Sequence, residues 1–233
     1  MGKDVIVACD FPSAVDCREF LKKFSGVERK PYVKIGMELF YSCGPDIVRE
    51  IKALGHGVFL DLKLCDIPNT VRRAMKSVSS LGADIVNVHA FGGIDMMRAA
   101  KEGIAEGGGS TKVIAVTVLT SIAPEKLGAE LLIDRPLADA ASAFALNAKT
   151  AGLDGVVCSV YEAGKIHGIC GRDFLTVTPG IRFGGSDVGD QARVATPEFA
   201  KEQGSDYIVV GRPITKAADP VSAYTQCLAG FAG

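Results

Sequence analysis

Tryptophan is absent from this 233-residue chain, and all aromatic residues together make up 7% of it. With hydrophobic content at 48%, 27 glycines and abundant alanine, that scarcity favours short buried strands covered by small-residue helices over a β-sandwich. Charge imbalance is also missing. A net charge of −1 and a pI near 6.3 give no electrostatic case for nucleic acid or an anionic membrane as partner, although local basic residues can still hold a phosphate. No apolar run approaches the roughly 18 residues of a membrane span. The seven cysteines, Cys9, Cys17, Cys43, Cys65, Cys158, Cys170 and Cys227, include no CxxC pair and read as reduced thiols that mostly fill core space. The start, Met1-Gly2-Lys3-Asp4-Val5-Ile6, lacks a signal-peptide pattern, and Ile6 stands where a myristoylation signal needs Ser or Thr. A soluble cytoplasmic protein is expected.

Short β-branched runs followed by helix-period segments give eight candidate strands: Val5 to Asp10, Tyr32 to Gly36, Val58 to Lys63, Asp84 to His89, Lys112 to Val118, Gly155 to Ser159, Leu175 to Thr178 and Tyr207 to Gly211. Between them the spacing predicts a helix capped at Ser13, one opened by Gly44-Pro45, one after Pro68 and one after Gly92-Gly93. The longest connection, Thr120 to Asp154, has room for two helices, and the last helix begins at Asp219-Pro220. Eight βα units in one stretch of this length predict an α/β fold, a single (β/α)8 TIM barrel spanning residues 1–233. The competitor is an open doubly wound sheet, but its usual GxGxxG is missing: Phe11-Pro12-Ser13 follows the first strand.

In such a barrel the active site forms at the carboxyl ends of the strands. Those ends carry Asp10, Lys34, Asp61 with Lys63, Asn87 with His89, Thr120 with Ser121, Pro179-Gly180-Ile181-Arg182, and Gly211-Arg212. The densest is Asp61-Leu62-Lys63-Leu64-Cys65-Asp66, in which alternation puts Phe59, Asp61 and Lys63 on one face and Val58, Leu60 and Leu62 on the other. Charges in an apolar run need pairing. The triplet is either a structural ion pair or part of a site, and the convergence of polar groups from many strand ends favours the site. The loops after strands seven and eight, each with glycine and arginine, suit a phosphate: glycine admits backbone N–H groups and arginine supplies a charged fork. His56, His89 and His167 are isolated in sequence, so packing or surface roles are expected rather than metal ligation. Cys65 has no evident base, and packing is expected of it too.

Asp61-x-Lys63-x-x-Asp66-Ile67-Pro68-Asn69-Thr70 resembles the signature of the orotidine 5′-monophosphate decarboxylase family. The likeness extends to Asp10, Val33-Lys34-Ile35-Gly36, His89-Ala90, Leu119-Thr120-Ser121, Thr178-Pro179-Gly180-Ile181-Arg182, Gln191 and Gly211-Arg212-Pro213-Ile214. A DxKxxD motif alone is shared with the phosphoketohexulose synthases and 3-keto-gulonate-phosphate decarboxylases. Those relatives carry an acidic residue ending strand two and use magnesium there, whereas this chain has Lys34. The resemblance implies cofactor-free, metal-free decarboxylation of orotidine 5′-monophosphate to UMP. It implies a charged catalytic network of Lys34, Asp61, Lys63 and Asp66, with Lys63 as proton donor. Asp10 and Thr70 would hold the ribose hydroxyls, and Thr120 and Ser121 the pyrimidine. Gln191, Gly211 and Arg212 would hold the phosphate with Arg182 beside it; Ile67 and Pro179 complete the substrate-binding set. A homodimer is also implied, in which Asp66 and Thr70 reach the neighbouring subunit's site.

Overall fold

A computed structural model describes residues 3–183 and 194–233. Eight parallel strands close into a ring in sequence order: β1 (Asp4–Ala8), β2 (Tyr32–Gly36), β3 (Val58–Leu64), β4 (Ile85–His89), β5 (Lys112–Val116), β6 (Gly155–Val157), β7 (Leu175–Thr178) and β8 (Tyr207–Val210), with β8 paired back to β1. This is the (β/α)8 barrel expected from the sequence. β2 and β7 match their predicted bounds, while β1, β5, β6 and β8 end one or two residues early. Asp10 therefore lies on the loop beyond β1, where a side chain can turn over the barrel mouth.

Around the ring run α1 (Ala14–Lys22), α2 (Met37–Cys43), α3 (Asp46–Ala53), α4 (Pro68–Ser79), α5 (Gly93–Glu106), α6 (Pro124–Ala129), α7 (Leu137–Thr150), α8 (Val160–Cys170), α9 (Pro197–Glu202), α10 (Arg212–Thr215) and α11 (Pro220–Ala232). The caps follow the local chemistry. Ser13 accepts the Asp16 N–H, and Asp219 accepts those of Val221 and Ser222 before Pro220 at the first helical position. α2 was not anticipated; its seven residues begin directly at the end of β2, too soon for an apolar stripe to show.

Two apolar layers result. Inside the ring, Ile6, Phe59, Ile85, Ile114, Val177 and Val209 fill the lower barrel. Between ring and helices lies a larger core that includes Val5, Val7, Ile35, Leu60, Met75 and Phe231. Phe24 meets Tyr224 edge-on, 5.8 Å between ring centres, joining the first helix to the last. Each such buried side chain contributes about 2–3 kcal/mol of transfer free energy. α6 and α7 bury a small core of their own around Val118, Leu127, Leu137 and Ala141, and Phe144 of α7 stacks on Phe91.

Candidate active site

β3 alternates as its sequence demands up to Asp61: Phe59 and Asp61 face the barrel interior, Leu60 faces the helices. The register then slips. Leu60 is opposite Val86 and Leu64 is opposite Val88, so β3 spends four residues where β4 spends two. Within that bulge Lys63 takes a left-handed backbone, φ +51°, which places its side chain with that of Asp61 on the cavity wall.

Lys63 Nζ pairs with Asp61 Oδ1 at 2.7 Å, and Lys34 Nζ lies 3.4 Å from Asp61 Oδ2 and 2.7 Å from Asp10 Oδ1. Asn87 adds a third donor to Asp61, from Nδ2 to Oδ1 at 2.6 Å. Burial alone would push the Asp61 carboxyl up, but Lys34, Lys63 and these hydrogen bonds hold it below its ordinary value. Burial likewise works against the Lys34 ammonium, and Asp61 and Asp10 more than offset it, so its pKa lies above the usual lysine value. His89, on the same face of β4, is pushed down by burial and by the Lys63 charge. Gly36 makes room for the pair beside it: a Cβ there would stand 2.8 Å from Asp10 Oδ1 and 3.0 Å from Lys34 Nζ.

Asp10, Lys34, Asp61 and Lys63 line a cavity of about 600 Å³ at the carboxyl ends of the strands. Of the residues expected from sequence, it gathers Asp10, Lys34, Asp61, Lys63, Thr120, Ser121, Pro179, Arg182, Gly211 and Arg212. Asp66, Ile67 and Thr70 do not line it. They belong to a run of exposed residues, Cys65 to Thr70, in which Asp66 accepts the Ile67 N–H instead of pairing with Lys63. The local pairing of Asp66 with Lys63 that sequence spacing allowed is thus not made within the chain, because the bulge turns the lysine toward Asp61. Gln191 lies outside the described residues. Sequence reading missed Lys216, a further basic lining residue; its spacing of four from Arg212, across one turn of α10, is the signal that would have found it.

A second cavity, of about 500 Å³, lies at the amino ends of the strands, lined by Tyr32, Asp84, Ser110, Thr111 and Tyr207 among others. Its one carboxylate is already committed to Lys52 and the Val58 N–H. The histidines other than His89 are occupied by packing: His56 is bonded to the Pro31 carbonyl, and His167 to Asp206 and Thr176. Among the described residues no three His, Cys, Asp or Glu side chains are grouped to hold a metal ion, and no helix is long and apolar enough to cross a membrane.

A family model described as orotidine 5'-phosphate decarboxylase / HUMPS family matches residues 3–227. The chain is 53% identical over 228 residues to the orotidine 5'-phosphate decarboxylase of Streptococcus mutans, covering 98% of this chain and 97% of that one. It is 54% identical over 219 residues to that of Cutibacterium acnes, covering 94% and 92%. Among crystal structures, orotidine 5'-phosphate decarboxylase from Lactobacillus acidophilus superposes with a TM-score of 0.89 at 43% identity, over 99% of this chain and 100% of that one. An uncharacterized conserved protein from Geobacillus kaustophilus gives 0.86 at 48%, over 97% and 99%. Closed barrel, charged strand end and matching relatives agree over nearly the full length, and the chain belongs to the orotidine 5'-phosphate decarboxylase / HUMPS family.

Proposed function

We propose that the chain converts orotidine 5′-monophosphate to UMP and CO₂, the last step of de novo pyrimidine nucleotide synthesis, with no cofactor or metal. The observation that carries this reading is Asp61 held between Lys34 and Lys63 at the mouth of the barrel. An ammonium stands where the sugar-phosphate relatives place an acidic, magnesium-binding residue.

Breaking the bond from C6 to the carboxylate leaves an electron pair in the plane of the pyrimidine, where the ring π-system does not delocalise it. Stabilisation must be electrostatic. Lys63 supplies the facing positive charge and then the proton, and recovers its own proton from solvent. Two unit charges about 4 Å apart attract by roughly 4 kcal/mol at an effective dielectric near 20, so the Lys34, Asp61 and Lys63 array holds itself in position before substrate arrives. The lysine needs no pKa near neutrality, because the carbanion is far more basic than any amine.

An acceleration near the upper end of enzyme performance asks for around 20 kcal/mol, more than one lysine supplies. Strands β3 and β7 stand across the ring from one another, so a nucleotide can place C6 at Lys63 and its phosphate among Arg182, Gly211 and Arg212, with Gln191 also assigned to it. Binding energy from the phosphate then contributes to the rate. Thr120 and Ser121 contact the pyrimidine, Pro179 packs beside the substrate, and Asp10 holds a ribose hydroxyl. Asp66, Ile67 and Thr70, exposed and outside their own cavity, complete the site of a second copy in a homodimer. Ile67 is 67% exposed, which suits a contact surface.

The test is to mix the purified protein with orotidine 5′-monophosphate in the presence of a chelator and follow the ultraviolet absorbance of the substrate. The reading expects steady loss of that absorbance. No change with folded protein removes it, and turnover abolished by the chelator would favour the magnesium-dependent relatives.

A further inference from the structure

Asn87 has no role in the chemistry described above, yet its side chain holds both ends of the segment that performs it. It lies on β4, 1% exposed, facing the barrel interior. Its Oδ1 accepts the Lys63 backbone N–H at 2.8 Å, and its Nδ2 donates to Asp61 Oδ1 at 2.6 Å. A backbone N–H only donates and an ionised carboxylate only accepts. A terminal amide is the group of this size that serves both at once: leucine would serve neither, and aspartate would serve the first while repelling the second.

The bonds fall where the strand departs from regular pairing. β3 gains two residues on β4 between Leu60 and Leu64, and Lys63 sits in that excess with a left-handed backbone. For a residue with a Cβ this conformation costs about 1–2 kcal/mol and persists only where surrounding contacts fix it. The Asn87 carbonyl takes the N–H that the shifted ladder leaves to a side chain, and the amide N–H sets the rotation of the carboxylate that Lys63 pairs with. We propose that Asn87 is a positioning residue for the reaction, fixing the bulge that aims the Lys63 ammonium and orienting Asp61 beside it. The inference rests on Lys63 as the proton donor and adds a residue through which its aim is set.

The charged groups near the amide are Asp61 and Lys63 on β3, Lys34 of β2 beyond Asp61, and His89 two residues along β4; the residue opposed on β5 is the apolar Ile114. An acid substituted at position 87 therefore meets a like charge first. Ionised, it repels Asp61. Protonated, it regains a donor toward Asp61 and keeps an acceptor for Lys63, reproducing the amide pattern. His89 titrates in wild type and in the uncharged Asn87→Leu as well, so a pH dependence confined to Asn87→Asp belongs to the introduced carboxyl and the charges it faces.

Wild type, Asn87→Leu and Asn87→Asp are to be compared for kcat and KM with orotidine 5′-monophosphate, for UMP affinity and for thermal midpoint, across roughly pH 5.5 to 8.5. For Asn87→Leu the expected result is a kcat lower by about 100-fold, as for a misplacement on the order of 1 Å, with KM and UMP affinity within about threefold of wild type. For Asn87→Asp the deficit in kcat is expected to shrink as pH falls. A kcat for Asn87→Leu within about threefold of wild type overturns the proposal. So does a loss of kcat and UMP affinity together with a pH-independent ratio, since that is plain structural damage. If Asn87→Leu does not fold, the pH profile of Asn87→Asp decides alone. Absence of turnover in the wild type sinks the decarboxylase reading itself, a result distinct from normal wild-type turnover with unaffected variants.

Discussion

Lys63 Nζ stands 2.7 Å from Asp61 Oδ1, although the two residues belong to one strand and the lysine backbone has left the β region to get there. A regular strand would set the two side chains parallel on one face. The pair is made within the bulge, and it is the centre of the charged array.

Replacing Lys63 removes the proposed acid but none of the groups assigned to phosphate, ribose or base. Lys63→Ala is expected to bind UMP within about tenfold of wild type while kcat falls by at least 10³-fold, the scale of a lost general acid together with its facing charge. Parallel measurements of UMP affinity and single-turnover CO₂ release check it. Unchanged turnover would sink the assignment.

The phosphate end lies remote from C6, so its removal tests whether binding energy reaches the rate. Arg212→Ala is expected to lower kcat/KM for orotidine 5′-monophosphate by about 100-fold, near 3 kcal/mol for a truncated charge pair. With the nucleoside orotidine, which has no phosphate, wild type and variant should react at the same low rate. A similar drop on both substrates would place Arg212 elsewhere in the mechanism.

Much of this was legible in the sequence, and the gaps have physical causes. The barrel could be read because strand and helix periods alternate along the chain, and the cavity because polar residues end so many strands. The Asp61 to Asp66 spacing put Asp61 and Lys63 on one face but could not reveal that Asp66 stays apart from them. A strand pattern assumes regular pairing, and the two-residue slip against β4 gives Lys63 to Asp61 and leaves Asp66 outside. Lys216 was missed because it lies one helical turn beyond the end of β8, at the C-cap of α10, and not at the strand end itself. Gly36 in the sequence is only a glycine at a strand end; its reason lies in Asp10, 26 positions earlier.

Acid should weaken the fold before it touches the charged array. Burial holds His56 and His89 below the ordinary histidine value of 6.5, so each stabilises fully above that pH and loses its contribution as pH falls below it. Asp61 keeps its contribution until pH falls below the ordinary carboxylate value of 3.8. Lys34, raised above 10.5, loses its own only in stronger base. The thermal midpoint is therefore expected to fall between about pH 7 and 5. His56→Asn keeps a donor for the Pro31 carbonyl without a titrating ring and should make that fall shallower. An identical slope would clear His56 of responsibility.

If Asp66 acts across a subunit boundary, two inactive variants should repair each other. Lys63→Ala and Asp66→Ala, each expected to be severely impaired alone, form a mixed dimer with one site lacking both groups and one site lacking neither. Random exchange of equal amounts should restore roughly a quarter of wild-type activity per subunit, as the statistics of a twofold dimer require. Unfolding and refolding the mixture, followed by the absorbance assay, checks this. If activity stays at the sum of the separate variants, Asp66 works within its own chain or not at all.

Gly36 tests whether the array needs its exact spacing or only its charges. Its φ of −89° and ψ of −179° suit any residue, so alanine brings no backbone strain and, by limiting the unfolded chain, even favours folding by about 0.4–1 kcal/mol. The added methyl would sit 2.8 Å from Asp10 Oδ1 and 3.0 Å from Lys34 Nζ, and two side-chain ends can move to admit it. The thermal midpoint of Gly36→Ala should thus stay within about 4 °C of wild type. Lys34, displaced from Asp10, then pulls on Asp61 from a new direction, and kcat/KM is expected to fall at least about tenfold. Wild-type kinetics in a stable Gly36→Ala variant would show that the charges act without fixed geometry, and preorganisation would lose its place in the mechanism.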